Sequence, residues 1–600
     1  MHRLGLGATL LVAIPILSVS VPACAAEMLQ AAEMLQVVYP PDGHETRAAQ
    51  IFLIGTAPPE LAVMVNGQAI ARSPAGHFAP SFPLRLGVNR FTLQSGETTQ
   101  TLTITRRAAQ PQPPTGAQFA VGSLQPARDI TRLVAEPLCF QAIAPAAAEV
   151  SVELAGLTLP LAPQPPLVQL PTNAAVLTAN NAPTEVAAVT VFAACAEAQA
   201  AAALGQPTFN LRYQGQTVAE TGPGAITVLS PLELPVVEVI AAEGVARTGP
   251  STNHSRLTPL PQGTRAAVTG QEGDWLRLDY GGWIQEGETR SLPGAVPPQA
   301  TVRSLRARQI KGATEIILPL DVPVPLAVDQ QARSLTLTLY NTTAETDTIW
   351  LDDDPLIERL DWQQPEPGRV TYTFNFKSEQ QWGYDLRYEG SSLILTLRHP
   401  PELRNRDNLQ GARILLDPGH GGAELGARGP DGTPEKAVNL TVTRLLRDEL
   451  QRRGATVYLT RETDVAVGLR ERMDEIARWR PDVALSIHYN ALPDNGDAIN
   501  TAGIGMFWYH AQAHDLAVFL HNYLVEALDR PSYGVFWNNL ALTRPQTAPS
   551  ILLELGFMIN PVEFEWITNA REQRRLAIAL ADGIERWYEQ AGAKSMTERH

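Results

Sequence analysis

The chain has 600 residues, 44% of them hydrophobic and 18% charged, with a formal net charge of −15. That composition excludes a disordered chain, and the acidic balance excludes a nucleic-acid binder, which needs a basic face. Length alone suggests about four domains, and proline (48) slightly exceeding glycine (44) suits several β domains joined by stiff linkers.

Residues 1–26 read as an export signal. His2 and Arg3 precede an apolar run from Leu4 to Val21, and Ala23-Cys24-Ala25 is a small-x-small cleavage site. Pro15 interrupts the run, which is short for a membrane span. Cys24 leaves a lipoprotein signal as the alternative, and no other stretch approaches a span. The six residues AAEMLQ occur twice between Ala25 and Gln36, as a spacer.

Residues 37–107 carry short strands separated by turn signals: Ile51 to Gly55, Ala62 to Gly67 and Arg90 to Leu93. Asn66-Gly67 suits a type I′ hairpin because both residues tolerate positive φ. The pattern resembles immunoglobulin-like modules of exported bacterial proteins, with His44 and His77 expected on the surface. A proline-rich linker follows over 108–119. Residues 120–232 are again β-rich, with no legible site. They hold Cys139 and Cys195, which either pair in an oxidising compartment or stand as two buried thiols.

Over 236–290, glycine-punctuated strands with Trp275 and Trp283 fit a small barrel and resemble bacterial SH3-like domains, several of which hold wall peptides or glycans. Trp283, next to Gly282, is expected in the core. Residues 300–400 alternate with period two in Ile316–Leu320, Leu335–Leu339 and Leu393–Leu397. They resemble the AMIN-like, wall-targeting domain found ahead of certain wall hydrolases.

From about 408 the period changes. Val438, Val442, Leu445, Leu446 and Leu450 share a helical face, with Thr433 as the expected N-cap and Pro434 at the first helical position. Strands then alternate with helices up to about 592, which predicts a mainly parallel sheet covered on both sides. The overall fold class is therefore all-β modules followed by an α/β domain.

Three apolar runs in this last domain end in chemistry. Ile414-Leu415-Leu416 leads to Asp417-Pro418-Gly419-His420-Gly421-Gly422, Val483 to Ile487 delivers His488, and Ile551-Leu552-Leu553 delivers Glu554. In open α/β sheets ligands gather at the carboxyl ends of strands. Glu435 opens the first helix and is not needed for a capping box, because the box position holds Lys436. Singly, each residue has a plainer role: a satisfied loop histidine, a helix-dipole glutamate, a buried ion-pair partner. Together, two histidines and a carboxylate match an open catalytic zinc site, with a second carboxylate to take a proton from water.

These segments, with Ser486 to Asn490 and Glu554 to Phe557 plus Asn560, resemble the zinc-dependent N-acetylmuramoyl-L-alanine amidases over about residues 408–590. The resemblance implies His420, Glu435 and His488 as zinc ligands and Glu554 as the catalytic base. It implies hydrolysis of the amide between the lactyl group of peptidoglycan and its stem peptide, in the periplasm or cell wall. Asn490 and Asn560 are candidate substrate-binding or supporting residues. Glu424-Leu425 stands where the family usually has Asp-Pro, and Tyr489 where it often has Ala. His510 and His514 are expected to be ordinary helix-start residues. Some family members carry a helical insert that blocks the cleft until a partner removes it. Here Leu492 to Gly503 is too short for one, so control is expected from tethering by the upstream domains, with an activator protein as a further candidate partner. A zinc peptidase of wall peptides and a non-catalytic wall-binding scaffold are the competing readings.

Overall fold

The structure is a computed structural model that describes residues 34–108, 113–178, 181–186, 189–404 and 408–597. The expected export signal with Cys24, most of the AAEMLQ duplication and residues 109–112 of the proline-rich linker lie outside the described residues. No described helix is long and apolar enough to cross a membrane.

The first unit is a sandwich of short strands. Its five-stranded sheet runs His44–Thr46, Thr98–Arg106, Gly87–Ser95, Val63–Val65, Gln68–Ala69. The Asn66-Gly67 hairpin forms with φ of 50° and 80°. The run expected as a single strand over Ile51–Gly55 instead breaks at Leu53 into Gln50–Phe52 and Ile54–Thr56, which pair in different sheets. The reason is that both faces of the run are buried. Ile51 and Leu53 enter the sandwich core, while Phe52 and Ile54 pack on Ala498, Phe557 and Ile559 of the C-terminal domain. His44 and His77, expected on the surface, are half-buried at this same junction. His44 meets Asp494 at 3.0 Å, and the His77 ring lies edge-on to Phe564.

In the second unit the strands Pro137–Ala144 and Thr190–Glu197 are antiparallel, and Cys139 faces Cys195 in register. The two form a disulfide closing a sequence separation of 56. A loop of that size stabilises by about 4 kcal/mol in the chain-entropy model. Cys139→Ala/Cys195→Ala should therefore lower the urea midpoint of the transition that unfolds this unit, with little change where the other units unfold.

Strand Ile130–Leu133 pairs with Ile226–Leu229 on one side and with Arg265–Glu272 on the other, so a sheet runs continuously from the second unit into the third. Trp275 and Trp283 are both buried there, and the guanidinium groups of Arg132 and Arg277 each lie 6.0 Å from the Trp283 ring centre. Residues 300–398 form two facing sheets over Ile316, Leu337, Phe374 and Leu395, antiparallel except where Ala300–Ile310 pairs in parallel with Thr342–Trp350, and the expected alternation of buried and open residues is seen along Ser334–Tyr340.

The C-terminal domain contains β1 (Arg413–Pro418), α1 (Glu435–Arg452), β2 (Thr456–Leu459), α2 (Leu469–Trp479), β3 (Val483–Asn490), β4 (Ile504–Trp508), α3 (Ala511–Leu528), β5 (Ser532–Trp537), β6 (Ser550–Phe557), α4 (Pro561–Thr568) and α5 (Ala570–Thr597). The sheet order is β2-β1-β3-β6-β4-β5. All neighbours are parallel except β4 and β6, so the sheet is mostly parallel. The near-continuous apolar sequence of β1, β3 and β6 follows from helices covering both faces. Leu446 and Leu450 of α1 enter one large core with Leu416, Leu485 and Leu553.

Candidate metal centre

β1 and β3 are parallel, with Pro418 beside Ile487, so His420 and His488 both emerge at the carboxyl end of the sheet. His488 lies in register with Glu554 of β6. Gly419 is required by the packing, because a Cβ there would lie 2.1 Å from Cε1 of His488. His420 takes φ of 60°, a region that costs an L-residue energy and needs support from its surroundings.

That support comes from two arginines. Arg472, 2% exposed, pairs with buried Asp417 and donates to the carbonyls of Pro418 (2.9 Å) and His420 (2.8 Å). Arg461 donates to the carbonyls of Pro418 and Gly419, both at 2.9 Å. Asp417 also accepts from the hydroxyls of Ser486 and Thr460.

The helix carrying Glu435 starts one residue later than the sequence suggests. Pro434 occupies the cap position without a side-chain bond, and Glu435 is the first helical residue. The Arg428–Pro434 bridge and the Gly429 N–H donated to the Thr433 carbonyl hold the preceding turn out of the helix. This brings the buried Glu435 carboxylate between the two imidazoles. Its Oε2 lies 3.1 Å from His420 Nε2 and accepts the Ala427 N–H, and its Oε1 lies 3.0 Å from His488 Nδ1 and accepts from Asn439 and the Tyr489 N–H. The imidazole centres are 4.9 Å apart with the rings nearly perpendicular.

Burial pushes the Glu435 carboxyl up, but the hydrogen bonds and charges of His420 and His488 outweigh it and hold the group well below the usual carboxylate range. Burial likewise pushes His420 down, and its bonds to Glu435 and Glu424 more than reverse that. The three ligand atoms all lie within 4.8 Å of one another. Tetrahedral ligands of a zinc ion sit about 3.3 Å apart, close to the 3.0 and 3.1 Å that separate the two imidazoles from the two oxygens of Glu435. The donor set, two imidazole nitrogens and a carboxylate oxygen, could hold a divalent metal.

Glu554 stands beside this group. Its Oε2 is shielded from solvent and has no hydrogen-bond partner among the described residues, and burial, followed by the charge of Glu435, raises its pKa well above the ordinary value. A cation among the neighbouring ligands would reverse that balance and favour the carboxylate.

The two asparagines part company. Asn490 remains half-exposed on the strand of His488, its Oδ1 accepting the Ala491 N–H. Of the two roles expected for it, substrate-binding or supporting, Asn560 makes the bonds of a supporting residue. It caps α4 through the N–H groups of Val562 and Glu563, and its amide donates to the carbonyls of Ile499 and Thr501. His510 occupies the cap position of α3 without a side-chain cap bond, its ring bonding the Arg544 carbonyl instead, and His514 packs against Trp508.

Sequence reasoning passed over Glu424, whose Oε1 lies 3.2 Å from His420 Nδ1, and Asn439, which steadies Glu435. Asn439 was readable in principle, since it sits four residues after Glu435 on the same helical face. Arg461 and Arg472 gave no local signal.

Residues 414–586 match a family model described as N-acetylmuramoyl-L-alanine amidase. A probable cell wall amidase, LytH, of Staphylococcus aureus is 32% identical over 187 residues, covering 31% of this chain and 61% of the relative. The LytH of Staphylococcus epidermidis is 30% identical over 182 residues, covering 30% and 60%. The chain thus spans about 60% of the length of these relatives. Among solved structures, the catalytic domain of CwlV from Bacillus (Paenibacillus) polymyxa var. colistinus is 27% identical, covering 29% of this chain and 97% of that one, with a TM-score of 0.28. AmiC2 of Nostoc punctiforme is 29% identical, covering 29% and 96%, also with a TM-score of 0.28.

Proposed function

We propose that this chain, whose residues 414–586 form a domain of the N-acetylmuramoyl-L-alanine amidase family, is an exported peptidoglycan hydrolase acting in wall remodelling or daughter-cell separation. It cleaves the amide between the lactyl group of N-acetylmuramic acid and the first alanine of the stem peptide. The observation that carries the reading is the convergence of His420, Glu435 and His488 beside the unpartnered carboxyl of Glu554. His420, Glu435 and His488 would hold zinc, which when bound supplies an acidic water and a positive charge opposite the developing oxyanion. Glu554 accepts a proton from the attacking water and returns it to the departing alanine nitrogen. Glu424 and Asn439 orient His420 and Glu435, as outer partners commonly do for metal ligands. Asn490, open at the end of β3, is positioned to bond the substrate.

Residues 236–290 as an SH3-like barrel and 300–400 as a wall-targeting domain complete the proposal. Support for tethering as the mode of control comes from the first sandwich, which grips the loop after His488 through Asp494, Asn495 and Ala498. On the far side, Trp382 packs on Trp587 and Tyr588. An activator protein would act by loosening these contacts.

Digestion of purified peptidoglycan by the full chain tests the reading. Mass analysis should find intact stem peptides beginning with alanine, together with glycan bearing free lactyl carboxyls. A chelator should remove the activity and added zinc restore it. Shortened stem fragments would identify a peptidase, and an inert protein a scaffold.

A further inference from the structure

A cavity of about 630 Å³ opens where the third unit, the 300–398 sandwich and the C-terminal domain meet. It lies across the sheet from the metal centre. β4 runs antiparallel to β6, pairing Gly505 with Glu554 and Phe507 with Leu552. The chain leaving β4 therefore reaches Tyr509 and His510 at the end where β6 begins, away from Glu554.

Two arginines line this cavity, Arg256 and Arg544. In a chain of net charge −15 neither has an ion pair among the described residues. Arg544 Nε donates to the Leu540 carbonyl. Arg247 stands behind them, donating to the carbonyls of Thr252 and His254, and its Nε is buried without a partner. Burial and then the charges of Arg256 and Arg247 push the Arg544 guanidinium down to about 10. Glu288, the carboxylate whose charge reaches Arg247 and Arg256, accepts the Val245 N–H. Asp329 on the opposite wall is exposed and accepts the Gln331 amide. The cluster thus keeps positive charge that the protein does not neutralise.

The walls are aromatic. Tyr280 and Tyr340 have ring centres 5.0 Å apart, and Tyr509 lies 5.1 Å from Trp537. Trp537 is 61% exposed, with its indole N–H tied to the Tyr509 carbonyl, so its ring face is held open. The Tyr280 hydroxyl is buried with no partner among the described residues. Guanidinium groups match carboxylates, and amphipathic ring faces suit a sugar, with one apolar and one wet side.

We infer that this cavity binds a carboxylate-bearing sugar, the muramic acid of glycan from which the peptide has been removed. The inference rests on the proposed reaction, which adds the elements of water to the lactyl amide, leaving a lactyl carboxylate on the glycan and an ammonium on alanine. Substrate carries an amide at that position and product a negative charge, so the arginines favour product. A chain held by stripped glycan keeps its catalytic end next to neighbouring uncut stems.

Calorimetric titration of the full chain tests this, and it needs no turnover. N-acetylmuramic acid should bind, with a change in tryptophan fluorescence that Trp537→Ala removes. N-acetylglucosamine, acetate and free stem peptide should bind at least tenfold more weakly. Arg256→Gln and Arg544→Gln should each weaken N-acetylmuramic acid at least tenfold. Arg256 is half-exposed, so its variant folds even if the Arg544 variant does not. Equal binding of N-acetylmuramic acid and N-acetylglucosamine, preference for the stem peptide, or binding unaltered in the Arg256 variant would overturn the inference. If the sugar binds as expected while peptidoglycan digestion fails, the amidase reading falls and the pocket stands; the converse result separates them the other way.

Discussion

Glu554→Ala should abolish turnover while the protein still takes up one metal ion per chain. General acid–base groups contribute roughly 10²–10⁴-fold to rate, so loss of at least about a hundredfold is expected. The ligand atoms of His420, Glu435 and His488 group without any contribution from Glu554, so metal content measured by mass spectrometry should be unchanged. Stability separates this role from a structural one. The Oε2 of Glu554 has no partner and its proton is held by burial, and an unsatisfied buried polar group costs about 1–3 kcal/mol. Removing it should leave the melting temperature of the metal-free protein unchanged or raised. A glutamate serving as an ion-pair partner would give the opposite result, a lower melting temperature with activity kept.

The grouping of His420, Glu435 and His488 was legible because each closes an apolar run or opens a helix, and strand ends in a parallel sheet converge by geometry. The same logic could not show what holds the ligands still. Arg472 lies within α2, whose sequence reads as an ordinary amphipathic surface helix, and its partner Asp417 is 55 positions earlier. Pairing across such a separation follows from strand order alone, which no window of sequence contains. The apolar run at Ile51–Gly55 misled for a related reason. Its outer face is apolar because another domain covers it, and a strand buried on both faces has the same pattern whether its cover is its own domain or a neighbour. For Asn560, proximity in sequence to Glu554 says nothing of its hydrogen bonds, which among the described residues serve the cap of α4 and the 499–501 loop.

Arg472→Met should destabilise the C-terminal domain by about 3–5 kcal/mol, the usual cost of removing one partner of a buried ion pair. Asp417, 1% exposed, would keep only the Ser486 and Thr460 hydroxyls against its charge. The effect should reach the metal centre as well, because Arg472 also holds the Pro418 and His420 carbonyls and so the left-handed backbone of His420. Zinc affinity, read by competition with a chromogenic chelator, should fall by about 10–100-fold, as when outer supports of a ligand are removed. The double variant Asp417→Leu/Arg472→Met distinguishes the two consequences. With neither charge buried, much of the stability should return, since apolar replacement of a buried pair is often neutral. Zinc affinity should not return, because the His420 carbonyl has lost its Arg472 donor and Arg461 holds only the carbonyls of Pro418 and Gly419. Recovery of both together would mean that the pair serves folding alone, and that Arg461 suffices to hold the histidine in place.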